Sequence, residues 1–169
     1  MLLKPLVGLF GNIKIKIMSN LKKEGITINC DFDGTVATHD FPRVGKDIGA
    51  ARVLKRLTDN GHQLILFTMR NDSDDVLNEH FEVVTKGVTY LTDAVNWFKE
   101  NDIPLYGIQT NPTQHLWTSS PKSYAQIMID DSALGCPLKF DEKLSNRPFV
   151  DWLRVEEMLL EIKLIKEDV

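Results

Sequence analysis

Cysteine is scarce in this chain: Cys30 and Cys136 are the two in 169 residues, too few for a disulfide framework and not at zinc-ligand spacing. Both suit small buried apolar positions in a reducing compartment, which makes the expected location cytoplasmic. Long apolar runs are missing, and none approaches the roughly 20 residues of a membrane span. The stretch Leu6 to Phe10 is shorter than the apolar core of a secretory signal. Basic charge is not in excess, because 20 Lys+Arg against 24 Asp+Glu leave a formal net charge of −4. That balance argues against an extensive nucleic-acid footprint. Internal repeats and low-complexity tracts are also lacking. With 43% hydrophobic and 26% charged residues, the composition is that of one globular domain rather than a disordered chain.

What is present is an alternation of short apolar runs with amphipathic segments. Ile26 to Cys30 reads as a buried strand. Ile48, Ala51, Leu54 and Leu57 recur at helical spacing between Asp47 and Asn60, and Gly61 supplies a stop. Gln63 to Thr68 is a second strand, and Leu91, Ala94, Val95 and Phe98 mark a helix over Leu91 to Asn101. Ile103 to Gln109 and Gln126 to Ile129 are further strands, and Trp152, Val155, Leu159 and Ile162 mark a closing helix. Such alternation predicts parallel βαβ units with helices over both faces of the sheet. Ahead of it, residues 1–25 read as an N-terminal extension, dispensable on this reading. Ile13 to Ile17 alternates there like a strand, and Met18 is an alternative start. Residues 26–169 form the domain.

Parallel sheets place their ligand sites at the carboxyl ends of the strands. Asp31, Thr68 and the pair Asp130-Asp131 each sit just past a predicted strand, so three strand ends converge on one crevice. Asp31 and Asp33, two residues apart on an extended segment, point the same way and repel unless a cation intervenes. Hard oxygen donors suit Mg²⁺. A phosphoryl group adds negative charge, for which Thr68 offers a hydroxyl and Lys122 a cation at the start of a short helical stretch. A carboxylate there can attack phosphorus to form an acyl-phosphate, with Asp33 as acid and then base. Arg70, two residues beyond Thr68, either grips a phosphate or makes a surface salt bridge. His39 and Arg43 lie on a flap and read as solvated. Asp72, Asp74 and Asp75 read as a solvated acidic loop. His62, His80 and His115 lack metal spacing, and Trp97, Trp117 and Trp152 read as packing residues.

The run Cys30-Asp31-Phe32-Asp33-Gly34-Thr35-Val36 resembles the nucleophile motif of the haloacid-dehalogenase (HAD) superfamily of phosphohydrolases. Leu64 to Thr68 is similar to its second motif. Lys122, in PKSYAQIMIDD, is similar to the third-motif lysine, just ahead of the paired aspartates of the fourth. The segments THDFPRVG, LFTMR, AVNWF, IDDSALGCPL and RPFVDW are similar to a small bacterial and phage-type subgroup.

The resemblance implies a three-layer, Rossmann-like α/β fold with a mainly parallel sheet and no full cap domain. It implies a Mg²⁺-dependent phosphomonoester hydrolase with Asp31 as nucleophile and metal ligand. Asp33 would be the acid/base with its backbone carbonyl on the metal, Asp131 the preferred further ligand, and Asp130 an assistant. By their positions Thr68, Lys122 and, unless it makes a surface salt bridge, Arg70 would bind substrate, a phosphorylated small molecule or macromolecular end. Nucleotidase and polynucleotide-end phosphatase are the finer substrate alternatives.

No cap fits between Asp31 and Thr68, where a flap and one helix fill the chain. Asn71 to Thr89 has room for a small hairpin turning at Lys86-Gly87, a miniature lid. A second subunit in a homo-oligomer is another way to close the site. The rival from a different class is a binding or regulatory module that keeps the fold without turnover.

Overall fold

The computed structural model describes residues 25–80 and 82–166. The extension expected over residues 1–25, with its alternative start at Met18, lies outside them apart from Gly25. Within the described residues the chain runs β1 (Thr27–Cys30), α1 (Ala50–Asp59) and β2 (Gln63–Leu66). Four short strands follow: β3 (Asp72–Ser73), β4 (Val76–Leu77), β5 (Val83–Thr85) and β6 (Val88–Thr89). Then come α2 (Tyr90–Glu100), β7 (Gly107–Ile108), β8 (Ile127–Ile129), β9 (Leu138–Lys139), β10 (Phe149–Val150) and α3 (Trp152–Glu161). No helix among these residues is long and apolar enough to cross a membrane.

The main sheet has four parallel strands in the order β7-β2-β1-β8, which with three helices makes a Rossmann-like α/β fold. Every residue of β1 is buried, as expected of a strand with a neighbour on each side. The chain builds outward from β1 through β2 to β7, then returns to place β8 on the other flank of β1. The order therefore reverses between β1 and β8, and ligand crevices in open α/β sheets lie at such a reversal.

All three helices bury one stripe. Ala50, Val53, Leu54 and Leu57 of α1 line the core, as do Ala94 and Phe98 of α2, and Trp152, Val155 and Leu159 of α3. Glu156 of α3 pairs with both Arg52 and Arg56 of α1, tying these helices together at the rim. Helix α1 begins at Ala50 rather than Asp47, because the Asp47 carboxylate takes the Gly49 N–H and holds the backbone in a turn.

Each helix ends in a Schellman motif. After α1, Gly61 N–H bonds Thr58 O and His62 N–H bonds Leu57 O. The same pair of bonds recurs at Asp102-Ile103 and at Lys163-Leu164. The motif needs a left-handed residue, and φ is 85° at Gly61 but 54° at Asp102 and 60° at Lys163, where a Cβ is penalised. Lys163→Gly should therefore raise the free energy of unfolding by about 0.5–1 kcal/mol, read from the urea midpoint.

The strand expected over Ile103 to Gln109 is much shorter in the structure, covering Gly107–Ile108 alone. Pro104 has no N–H to donate to the sheet, and Gln109 leaves extended geometry at φ 61°. The expected hairpin at Lys86-Gly87 is also corrected. β3 pairs with β6 and β4 with β5, both antiparallel, so residues 72–80 and 82–89 form a two-stranded arm with a bond from Asn78 N–H to Glu82 O near its tip. Lys86 and Gly87 lie on its returning side, where both bond the Asp75 carboxylate.

Candidate metal centre

Asp31 leaves the carboxyl end of β1, and Asp130 and Asp131 leave that of β8. Parallel pairing of the two strands, extended by the bond from Asp31 N–H to Ile129 O, brings them together. One carboxylate oxygen from each of Asp31, Asp130 and Asp131 lies within 4.8 Å of the others, so the three could hold a metal ion. Thr35 locks the arrangement. Its hydroxyl accepts the Asp131 N–H at 3.0 Å and donates to Asp31 Oδ2 at 3.4 Å. Thr35 is in turn held by the buried Trp152, whose indole N–H donates to Thr35 O at 2.7 Å. Val150 N–H bonds Gly34 O, so the C-terminal segment clamps the acidic turn from behind.

The electrostatics of this cup are unbalanced. Burial pushes the Asp31 carboxyl from 3.8 to about 6, and Asp130 and Asp131 push the same way. Hydrogen bonds from the Phe32 N–H and the Thr68 side chain oppose the rise. Three carboxylates that offer oxygen donors alone, and that pair with no Lys or Arg among the described residues, match the chemistry of a hard divalent ion.

Asp33 is not part of that cup. Its two oxygens are taken by Arg70, with Nε to Oδ2 and Nη2 to Oδ1, both 2.7 Å. The repulsion expected between Asp31 and Asp33 is thus relieved by a guanidinium rather than by a shared metal. Arg70 is fully buried, and its remaining N–H groups bond Pro42 O, Arg43 O and Tyr90 O. All five donors are spent, which leaves none for a phosphate in this conformation. The guanidinium also lies over the Phe32 ring at 4.9 Å and the Phe41 ring at 5.4 Å. Both expected roles for Arg70, phosphate grip and surface salt bridge, give way to a buried ion pair.

Thr68 sits beside Asp31, held by Gln109. The Gln109 side-chain oxygen accepts Thr68 N–H at 3.0 Å, and its NH₂ donates to Thr68 O and Arg70 O at 2.6 and 3.1 Å. Lys122 is exposed and makes no ion pair among the described residues. It opens no helix either, contrary to expectation. The backbone around it is satisfied by side chains instead: Asn29 donates to Ser123 O, Asn111 to Tyr124 O, and Gln114 accepts Tyr124 N–H. Asn29 lies buried in β1 and also accepts the Ser123 hydroxyl, so the Lys122 segment is pinned to the central strand.

Several residues were not singled out by sequence reasoning, or were misread. Nothing in the spacing marks Gln109 or Asn29, and Thr35 was marked only as part of the motif run after β1, without a role of its own. His39, expected to be solvated, has a side chain only 15% exposed and bonds Asp131 Oδ2 through Nε2 at 3.0 Å. Asp72 is exposed, as expected, and it also caps α2 by accepting the Leu91 and Thr92 N–H groups and the Thr92 hydroxyl. Those bonds, led by the Thr92 hydroxyl, hold its carboxyl below the ordinary range. Trp152 is buried and Trp97 packs edge-on against Phe32. Trp117, read as a packing residue, packs edge-on against Tyr124 on the exposed surface. His62 is structural, accepting Ile26 N–H and bonding Leu164 O.

No family model matches the chain, and no curated protein matches it. Among solved structures it is similar to a conserved protein coded by a locus from Bacteroides thetaiotaomicron. The two share 28% identity over 81% of this chain and 91% of that one, with a TM-score of 0.58.

Proposed function

We propose that this protein is a Mg²⁺-dependent phosphomonoester hydrolase of the haloacid-dehalogenase type, working through an aspartyl-phosphate on Asp31. The observation that carries the reading is the carboxylate cup at the β1/β8 reversal, with the Asp31 carboxyl pushed up to about 6. Asp31, Asp130 and Asp131 would hold the ion, together with the Asp33 carbonyl implied by the resemblance. Mg²⁺, when bound, keeps Asp31 ionised and screens the charge of an incoming phosphate.

The chain's own residues supply the rest. An Asp31 oxygen attacks phosphorus as the bond to the substrate oxygen breaks, and that oxygen takes a proton from Asp33. Asp33 then removes a proton from water, whose oxygen attacks the phosphorus and releases Asp31. For this work the Asp33 carboxylate has to turn away from at least one Arg70 nitrogen. Thr68 donates to a phosphate oxygen, and Lys122 reaches in from its pinned segment. The substrate is a phosphorylated small molecule or the phosphorylated end of a macromolecule, and two free cysteines accord with a reducing compartment such as the cytoplasm.

The Asp33–Arg70 pair also favours a second reading, a module that binds metal and phosphate without turnover. Phosphate release with and without Mg²⁺, over nucleotides, sugar phosphates, aryl phosphate and phosphorylated oligonucleotide ends, separates the two when paired with calorimetric Mg²⁺ titration. The hydrolase predicts Mg²⁺-dependent release. Binding without release on any substrate favours the module, and neither binding nor release removes both.

A further inference from the structure

The metal-centre reading leaves unexplained why a loop histidine is folded into the acidic turn. Gly34 has φ 79°, and a Cβ there would fall 2.1 Å from His39 Nε2 and 2.8 Å from Asp131 Oδ2. The imidazole thus lies directly over a glycine of the acidic motif, in space that any other residue would fill.

The flap delivers the ring there from both sides. Before it, Gly34 N–H bonds Ala37 O, and Thr38 exchanges two bonds with Lys46, N–H to O at 3.0 Å and Oγ1 from N–H at 2.8 Å. After it, Arg70 fastens the carbonyls of Pro42 and Arg43. An Asp131 carboxylate can only accept, so His39 Nε2 carries the hydrogen of the 3.0 Å bond. His39 is not one of the three residues whose ligand atoms lie mutually within 4.8 Å. Among the described residues its hydrogen bond to the cup is the one to Asp131.

We infer that His39 is a positioning residue of the metal centre: its Nε2–H holds Asp131 Oδ2 so that Oδ1 is the oxygen left to ligate. Asp131 is then fixed at two points, its N–H on the Thr35 hydroxyl and its Oδ2 on the imidazole. Outer hydrogen bonds of this kind orient carboxylate ligands, and their loss costs about 10–100-fold in metal affinity. The inference rests on the metal-centre reading of the carboxylate cup.

The test compares wild type, His39→Ala and His39→Gln. Mg²⁺ affinity is read by calorimetry and Mn²⁺ affinity by electron paramagnetic resonance, with melting of the metal-free proteins alongside. His39→Ala should bind both ions about 10–100-fold more weakly. His39→Gln, which keeps an N–H donor, should recover most of that loss, and the metal-free proteins should melt alike. Unchanged affinity in His39→Ala overturns the inference while the metal centre stands. Equal loss in both variants with lowered metal-free melting marks simple packing and overturns it too. A wild-type protein that binds neither ion removes the metal centre itself, and the inference with it.

Discussion

Asp31→Asn is expected to abolish phosphate release while making the metal-free protein more stable at neutral pH. Loss of the attacking oxygen should lower the rate by about 10³-fold or more, since a neutral amide oxygen is a far weaker nucleophile than a carboxylate. The stability gain has a separate origin. Burial, then Asp130 and Asp131, raise the Asp31 carboxyl from 3.8 to about 6 in the folded protein. A carboxyl with a raised folded pKa stabilises most below its unfolded value. Between pH 3.8 and 6 the folded state holds more protons than the unfolded one, so this contribution is lost as pH rises through about 6. At pH 8 the ionised group therefore costs metal-free wild type about 1–3 kcal/mol, which the neutral amide avoids. Urea unfolding in chelator at pH 8 should favour Asp31→Asn, and at pH 4 the two should converge. Saturating Mg²⁺ should narrow or reverse the gap, because wild type gains more from the ion. A variant less stable than wild type at pH 8 without metal would refute the account of the cup.

Arg70→Met should be among the most destabilising single changes in the domain. The guanidinium is fully buried and carries both Asp33 oxygens and the carbonyls of Pro42, Arg43 and Tyr90. Methionine fills much of the volume but leaves the Asp33 carboxylate without its partner, a loss of about 3–5 kcal/mol. That is a large part of the stability of a typical domain. Arg70→Lys should recover little, because one ammonium cannot reach five acceptors. Adding Asp33→Asn to Arg70→Met removes the stranded charge and should return part of the loss, a non-additivity measurable in a double-mutant cycle. Had Arg70 served as a phosphate grip, the variant would instead keep its urea midpoint and lose only substrate affinity. The network also joins the two ends of the arm, since Arg70 precedes it and Tyr90 follows it. Arg70→Met should accordingly speed amide exchange at Asp72 and Thr89, the residues paired at its base.

The residues of the cup were legible in the sequence because they follow short apolar runs, and a parallel sheet gathers the ends of such runs at one edge. The helices were legible within three residues, because burying one stripe imposes a 3.6-residue period whatever lies opposite. The cap that Asp72 gives α2 and the path of Lys86-Gly87 were not. A Lys-Gly pair is a sound turn signal, yet the arm turns elsewhere, because Asp75 accepts from Gly87 and Lys86 and fixes them opposite it. The helix expected at Lys122 failed for a related reason. Asn29, far away in the sequence, and Asn111 and Gln114, from the turn ahead of Lys122, satisfy the backbone that a helix would have satisfied itself.

The alternation of strands and helices, and the positions of Asp31, Thr68 and Asp130-Asp131 at strand ends, were thus determined by the sequence alone. Local periodicity and chain direction suffice for both. Which charge meets which was decided only by the tertiary structure. Asp33 turned from Asp31 to Arg70, and a flap histidine came to rest on Asp131, because such polar pairings depend on contacts across 37 and 92 residues of chain. No period in the sequence encodes such distances; they exist once the sheet has closed around them.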